Sequence, residues 1–316
     1  VSDDLSPVDD DDLNVFRFFE LFPDEQAAID YLEAQRWPDG VVCPRCNSDY
    51  TSPIKNRNRY SCNACRSQFS VRTGSVFENS RISLRKWIYA MYVFQTARKG
   101  ISSAQLARDL GIRQATAWFM MHRLREAMEP DLELLKGEIE IDEAWIGGLE
   151  KNKHSNKKLY KNWVVGKQLV LGFRERDGRI IIRPIPSGIK DVLLADILFA
   201  VEEGATIYTD EASGYQELGR WFEHDSVNHG KGEYVRENVT TNSIESVWAI
   251  VKRAHKGIYH QWSKKHGHRY VNEIAYRLTE GNIRIPVMIR VNRLALKCFE
   301  VQLTYKELVR QSMPVC

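Results

Sequence analysis

Cys43-Pro44-Arg45-Cys46 and Cys62-Asn63-Ala64-Cys65 are two Cys-x2-Cys knuckles separated by fifteen residues. This spacing constrains the local fold more than any other feature, because four thiolates from two such turns can enclose one tetrahedral Zn²⁺. A segment this short buries too little apolar surface to fold alone. In small zinc modules the metal contributes about 10–16 kcal/mol of folding free energy. The competing readings, a redox pair or two disulfides, fit a reducing cell interior less well. Arg57, Arg59, Tyr60, Arg66 and Phe69 interleave basic and aromatic side chains around the knuckles, a composition that suits nucleic acid. Cys298 and Cys316 have no partner spacing and read as a buried thiol and a tail residue.

At 316 residues the chain is long enough for one sizeable core with one or two small modules. It has no apolar run of about 18 residues and no apolar leading segment, so a soluble, intracellular protein without a membrane partner is expected. The net charge of +3 conceals a polarised distribution: residues 1–12 carry six Asp and no Lys or Arg, whereas residues 246–297 carry eleven Lys or Arg against two Glu. A basic tract of this density points to a polyanion partner. The acidic start reads as disordered.

Residues 24–36 have helical periodicity behind a cap at Asp24, and Trp37-Pro38-Asp39-Gly40 stops that helix ahead of the first knuckle. A second helix is expected over 83–95, with Leu84, Trp87, Ile88, Met91 and Val93. From Ile101 to Met128 the pattern is a helix-turn-helix. Ser102 or Ser103 caps a short helix through Asp109, Gly111 makes the turn, and Arg113 opens the second helix; Leu106, Ala107, Leu110, Ile112, Trp118 and Leu124 supply a small core. Arg113, Gln114 and Thr116 then stand where such motifs present side chains to the major groove of double-stranded DNA.

After Pro130 the pattern changes to strands. Residues 138–147 alternate, with Ile139 and Ile141 on one face and Glu140 and Asp142 on the other. Strands at 164–173 and 179–184 are joined through Arg176-Asp177-Gly178, a hairpin signal. A helix at 191–203, a strand at 205–209, a short helix at 215–222, a weak strand at 226–229 and a final helix follow. This is the element order of a ribonuclease-H-like α/β domain with a mixed five-stranded sheet.

In that order Asp142 lies on the first strand, Asp210 ends the fourth beside it, and Glu245 lies on the late helix. Asn242, Glu245, Ala249, Lys252 and Lys256 step by three or four residues along one helix face, opposite Ile244, Val247, Trp248 and Val251. Carboxylates converging from separate elements suit Mg²⁺ or Mn²⁺, and two such ions about 3.5–4 Å apart can drive an in-line displacement at phosphorus. Asp142, Asp210 and Glu245 are the candidate ligands, and Lys252, Arg253 and Lys256 the candidate holders of the phosphodiester. Taken singly these residues read as a solvated strand residue, a helix cap and a charged helix face. Together, behind two DNA-binding modules, they read as a site that cuts DNA. The loop from Lys151 to Lys158, with Lys157 and Lys158 at its end, is a further candidate phosphate contact. His229 is read as structural before metal- or phosphate-binding.

The chain resembles DDE transposases of bacterial insertion sequences, in the zinc-ribbon branch related to eukaryotic Merlin elements. The resemblance is carried by Phe22-Pro23, Tyr31-Leu32, Arg36-Trp37-Pro38-Asp39-Gly40, the first knuckle, Phe69-Ser70-Val71 and Thr73-Gly74. It continues through Ala117-Trp118-Phe119-Met120, Ile141-Asp142-Glu143, Val227-Asn228-His229, Thr241-Asn242-Ser243-Ile244-Glu245 with Trp248 and Lys252-Arg253, Gly257-Ile258-Tyr259-His260 and Arg269-Tyr270, over roughly residues 20–285. It implies an enzyme that binds terminal inverted repeats, cleaves at element ends and joins them to target DNA, acting as a homodimer or higher oligomer on the bacterial nucleoid. It also implies a third catalytic position at Glu245 or Asn242. An anionic ligand binds Mg²⁺ better than an amide, and the seven residues to Lys252 fit the family, so Glu245 is preferred and Asn242 becomes a supporting or DNA contact. Two other functions compete: a domesticated zinc-ribbon and helix-turn-helix regulator, and a ribonuclease-H-like nuclease or resolvase. The expected division is an acidic tail and helix over 1–40, a zinc ribbon over 41–80, a helix-turn-helix over 81–130, a catalytic domain over 131–280 and a C-terminal tail over 281–316.

Overall fold

The computed structural model describes residues 12–147, 167–176, 178–210, 215, 217–227, 235–236, 239–281 and 284–310. They fall into two compact units, one from the described residues of Val1–Met128 and Gly281–Cys316, the other from those of Glu129–Glu280. The first unit opens with helix α1 (Val15–Leu21), capped by the Asn14 side chain, and α2 (Glu25–Arg36), whose Asp24 cap accepts from the Ala27 amide at 2.9 Å. Three short strands, β1 (Thr51–Pro53), β2 (Tyr60–Cys62) and β3 (Gln68–Phe69), pair antiparallel in sequence order. Helix α3 (Leu84–Thr96) is capped by Ser83. The Glu25 carboxylate also accepts from the Leu84 and Arg85 amides at 2.7 and 3.1 Å, tying α2 to its start.

Helices α4 (Ser103–Leu110) and α5 (Gln114–Glu126) are joined across Gly111, which sits at φ 60°, ψ 44° as the left-handed C-cap that glycine adopts without steric cost. Ser102, one of the two caps expected, bonds the Gln105 amide at 3.1 Å. Trp118 is half-buried and meets the His122 ring edge-on at 4.3 Å, while Ala117, Met120, Met121 and Leu124 make the buried side of α5.

The second unit is a five-stranded sheet in the order β6-β5-β4-β7-β8: β4 (Glu138–Ile146), β5 (Gln168–Glu175) and β6 (Ile180–Ile185) pair antiparallel, whereas β7 (Thr206–Asp210) and β8 (Glu223–Val227) add in parallel. Helix α6 (Lys190–Ala200) connects β6 to β7 and covers one face, where Ile139, Ile141, Leu171, Phe173, Leu193, Ile197 and Ile207 form the core. A small pair, β9 (Val235–Arg236) and β10 (Val239–Thr240), precedes α7 (Asn242–Ala254), and α8 (Gly267–Glu280) follows. These two helices cover the other face, with Val170, Ile182, Ile244, Val247, Trp248, Val251, Val271 and Ile274 buried between. The two-residue period of the strands sorts the residues of β4 and β5 between the two cores. Among the described residues of the helix expected at 215–222, Tyr215 and Leu218–Arg220 are 3-10 rather than α-helical, because a short segment with Gly219 near its end cannot sustain α-helix nucleation. The strand expected at 226–229 begins earlier, its register set by pairing of Thr206 with Glu223 through Asp210 with Val227.

The chain then adds α9 (Val287–Glu300) and α10 (Tyr305–Val309) to the first unit. Residues 281–316, expected as a tail, thus contain an amphipathic helix that buries Val291, Leu294, Ala295 and Cys298. Tyr31 of α2 donates to Asn292 at 2.5 Å, and the Arg290 guanidinium to the Gln95 carbonyl at 2.8 Å. Among the described residues no helix is long and apolar enough to cross a membrane.

Candidate functional site

Glu140 and Asp142 share the α7-facing side of β4. In the parallel β4–β7 pairing Glu140 stands against Tyr208, and two further residues along that register bring Asp142 level with Asp210 at the end of β7. Across the other edge of β4, Asp142 pairs with Gly172 of β5. Glu143 points to the opposite side, where the buried Tyr215 hydroxyl donates to its Oε2.

Helix α7 buries Ile244, Val247, Trp248, Val251 and Ala254 and exposes Asn242, Glu245, Lys252, Arg253 and, just past its end, Lys256. Glu245 is in the first turn, its amide bonded to the Thr241 carbonyl at 3.1 Å. The helix is fixed to the sheet by side chains the sequence reading did not single out. Glu140, only 1% exposed, accepts from the Ser243 and Ile244 amides at 3.0 and 2.9 Å. Arg174 of β5 donates to the Ser243 carbonyl at 2.8 Å and to the Ser246 hydroxyl at 3.2 Å. One turn on, the Trp248 indole donates to Asp142 Oδ2 at 2.8 Å. Gly172 makes room for that ring: a Cβ there would lie 2.5 Å from Trp248 Cη2.

Burial acts most strongly on Asp142 and Glu143. Burial, with the nearby charges of Asp210 and Glu245, raises Asp142 from 3.8 to about 6 against the opposing Trp248 and Glu143 N–H bonds. Glu143 rises from 4.5 to about 7, chiefly through burial and then the charges of Asp142 and Asp210, and Tyr215 is driven well above 10 by burial beside Glu143. Such mutual repulsion of carboxylates is relieved by a cation. Among the described residues, however, only the four cysteines bring three or more ligand atoms within 4.8 Å of one another, so Asp142, Asp210 and Glu245 do not form a closed cage.

The cysteine cluster is built from two turns with the same hydrogen bonds. Cys43 and Cys62 each donate an amide to the carbonyl five residues on, Ser48 and Ser67, both at 2.9 Å. Asn47 and Arg66, at φ 57° and 63°, return their amides to the Cys43 and Cys62 carbonyls. The turns face each other, with Cys43 Sγ 3.8 Å from Cys65 and Cys46 Sγ 3.5 Å from Cys62. A tetrahedron with bonds of about 2.3 Å to zinc has edges near 3.8 Å, so the thiols fit a structural Zn²⁺. Phe69, Trp37 and Tyr60 pack on the buried pair.

Of the other candidates, Arg57, Arg59, Arg113 and Gln114 are exposed and Thr116 is half-buried. Gln114 Nε2 donates to the Ser103 hydroxyl at 2.9 Å. Lys157, Lys158 and His229 lie outside the described residues. Glu140, Tyr215 and Gly172 were missed because their importance arises from contacts between elements distant in sequence; the signals available were the alternation that put Glu140 beside Asp142 and the Ile141-Asp142-Glu143 motif.

Residues 134–279 match the ISXO2-like transposase domain, and residues 23–68 match the transposase zinc-ribbon domain. The chain is also 30% identical, over 261 residues covering 76% of it and 87% of the relative, to a protein of Halobacterium salinarum described as an uncharacterized protein in transposable element ISH50. With its mixed sheet, its four-cysteine module and these matches, the chain belongs to the insertion-sequence DDE transposases that carry an N-terminal zinc ribbon.

Proposed function

We propose that this transposase binds the terminal inverted repeats of its insertion sequence and performs metal-dependent DNA cleavage and strand transfer with Asp142, Asp210 and Glu245. The carrying observation is geometric: the β4–β7 register runs Asp142 toward Asp210, and the first turn of α7, which carries Glu245, is bonded to β4 through Glu140. The sheet order, three antiparallel strands followed by two parallel ones, supports a ribonuclease-H-like reading of residues 131–280. The α4–Gly111–α5 arrangement supports a helix-turn-helix, with Arg113, Gln114 and Thr116 directed at the major groove, beside a zinc ribbon over 41–80 in which Arg57 and Arg59 meet phosphate.

The donor set is all carboxylate, the chemistry of Mg²⁺ or Mn²⁺, which bind through few protein oxygens and keep several waters. Asp142, Asp210 and Glu245 would hold two such ions. When bound, the metal supplies activation of the attacking water or 3′-hydroxyl and stabilisation of the leaving oxygen. Asp142 is held for that role by Trp248, which takes one lone pair of Oδ2 and leaves others for a ligand. Lys252, Arg253 and Lys256, exposed on and after α7, hold the phosphodiester, and Asn242 supports the third ligand or contacts DNA. Assembly as a homodimer or higher oligomer on DNA, in the bacterial cytoplasm at the nucleoid, follows from the same reading. The test is incubation of zinc-loaded protein with a duplex carrying the element's own end: strand breaks at that end appear with Mg²⁺ and vanish with a chelator of it. Breaks that persist without any divalent metal refute the reading.

A further inference from the structure

We infer that Glu140 is a positioning residue for the catalytic helix, pinning the first turn of α7 to β4 so that Asn242 and Glu245 stand in fixed register with Asp142. This rests on the reading of Asp142 and Glu245 as metal-holding acids. A carboxylate that is 1% exposed needs specific partners to remain in place, and Glu140 finds them in the Ser243 and Ile244 amides. These belong to the orphan donors at the start of α7, where a neighbouring Ser, Thr or Asp commonly serves. Here the preceding Thr241 makes no side-chain cap bond, so a strand residue 103 positions before Ser243 takes its place. The negative charge also lies at the positive end of the helix dipole.

The tether is reinforced from the adjoining strand. Arg174, opposite Glu140 in the β4–β5 register, bonds the Ser243 carbonyl and the Ser246 hydroxyl. The first turn is therefore gripped through donors and acceptors by two paired strand residues, and that turn carries both Asn242 and Glu245. Glu140 is two residues from Asp142 on the same strand face, so a rigid link runs from one proposed ligand to the other. Arg176 Nε, 3.9 Å from Glu140 Oε1, balances its charge from the rim. Nothing in this arrangement brings Glu140 itself to the DNA; it acts through the helix.

The test uses the zinc-loaded full chain carrying Glu140→Gln, with Val251→Ala as a control that loosens the same helix on its apolar side. Three quantities are read: amide hydrogen exchange over residues 242–246, Mn²⁺ affinity by titration calorimetry without DNA, and single-turnover cleavage. For Glu140→Gln the expectation is faster exchange over 242–246, with Mn²⁺ affinity and cleavage both reduced by about 10–100-fold, the range typical of lost support for a metal ligand. Binding to a duplex of arbitrary sequence should stay within twofold. Val251→Ala should lower the melting temperature but leave Mn²⁺ affinity within twofold. Wild-type exchange in Glu140→Gln, or losses of affinity and cleavage no larger than those of Val251→Ala, would overturn the proposal. Should Glu140→Gln not fold, Arg174→Met removes the companion tether without burying a charge; it carries the same expectation and is overturned by the same results. Wild-type protein that takes up no Mn²⁺ would defeat the metal reading and this proposal together, and is recognised before any substitution is made.

Discussion

Trp248 on α7 and Asp142 on β4 are joined by an indole N–H to carboxylate bond of 2.8 Å, and the ring that makes it lies over Gly172, the residue paired with Asp142 on β5. The core tryptophan of the helix is thus also a partner of the first acid. Packing and site geometry are coupled at one side chain.

Gly172→Ala tests that coupling. Its Cβ would meet Trp248 Cη2 and Cζ2 at 2.5 and 2.6 Å and Ile244 Cδ1 at 3.0 Å, inside a packed layer that cannot give way freely. The expected cost is about 1–3 kcal/mol, the usual range for overpacking, together with displacement of the indole from Asp142. Urea unfolding followed by tryptophan fluorescence measures both, and an unchanged midpoint would show that the ring does not lie where described.

The raised carboxyl of Asp142 sets a pH dependence. Its folded value of about 6 exceeds the ordinary 3.8, so between these values the folded chain binds more protons than the unfolded one. Stability from this group is therefore full below about pH 4 and falls as pH rises to about 6. Glu143 extends the fall to about 7. In zinc-loaded protein free of Mg²⁺, Asp142→Asn should raise stability near pH 8 by about 1–2 kcal/mol, a figure reduced from the full shift because Asp142 retains some solvent. Thermal unfolding across pH 5–8 is the measurement; a variant less stable than wild type at high pH would refute it.

For the thiolate module, Cys43→Ser or Cys62→Ser should abolish stoichiometric zinc and weaken binding to the element ends, because one lost thiolate opens a closed site that supplies folding energy. Metal analysis of the purified wild-type chain comes first. Less than about one zinc per chain there would remove the basis of this expectation.

The third ligand is decided by an order of severity. If Glu245 binds metal, Glu245→Gln loses most Mg²⁺-dependent cleavage and partly recovers in Mn²⁺, whereas Asn242→Ala costs on the order of 10–100-fold. Lys252→Ala should weaken DNA binding and lower the salt slope by about 0.9, one phosphate's share. Single-turnover cleavage in which Asn242→Ala is dead and Glu245→Gln near normal would transfer the role to Asn242.

The cysteine spacing foretold the two facing turns because a knuckle is local: its hydrogen bonds span only a few residues. The three-and-four spacing of 242–256 likewise told which side of α7 is buried, whereas the alternation of 138–147 told only which residues of β4 share a face, because both faces are covered. What escaped is long-range. Glu140 looks like any polar residue of an alternating strand until Ser243 and Ile244 meet it, and Gly172 gains meaning only from its pairing with Asp142. α9 was overlooked because Arg290, Arg293 and Lys297 interrupt a stripe of Val291, Leu294, Ala295 and Cys298 that is buried only once the helix joins the first unit.

The most direct test of the account replaces Asp142 or Asp210 by Asn and measures cleavage of an element-end duplex with Mg²⁺ alongside binding of the same duplex. Affinity comes mainly from phosphate contacts elsewhere, so each variant should bind within a few-fold of wild type and yield no cleavage or strand transfer. Undiminished cleavage by either variant would contradict the assignment of these two aspartates as the metal-holding centre.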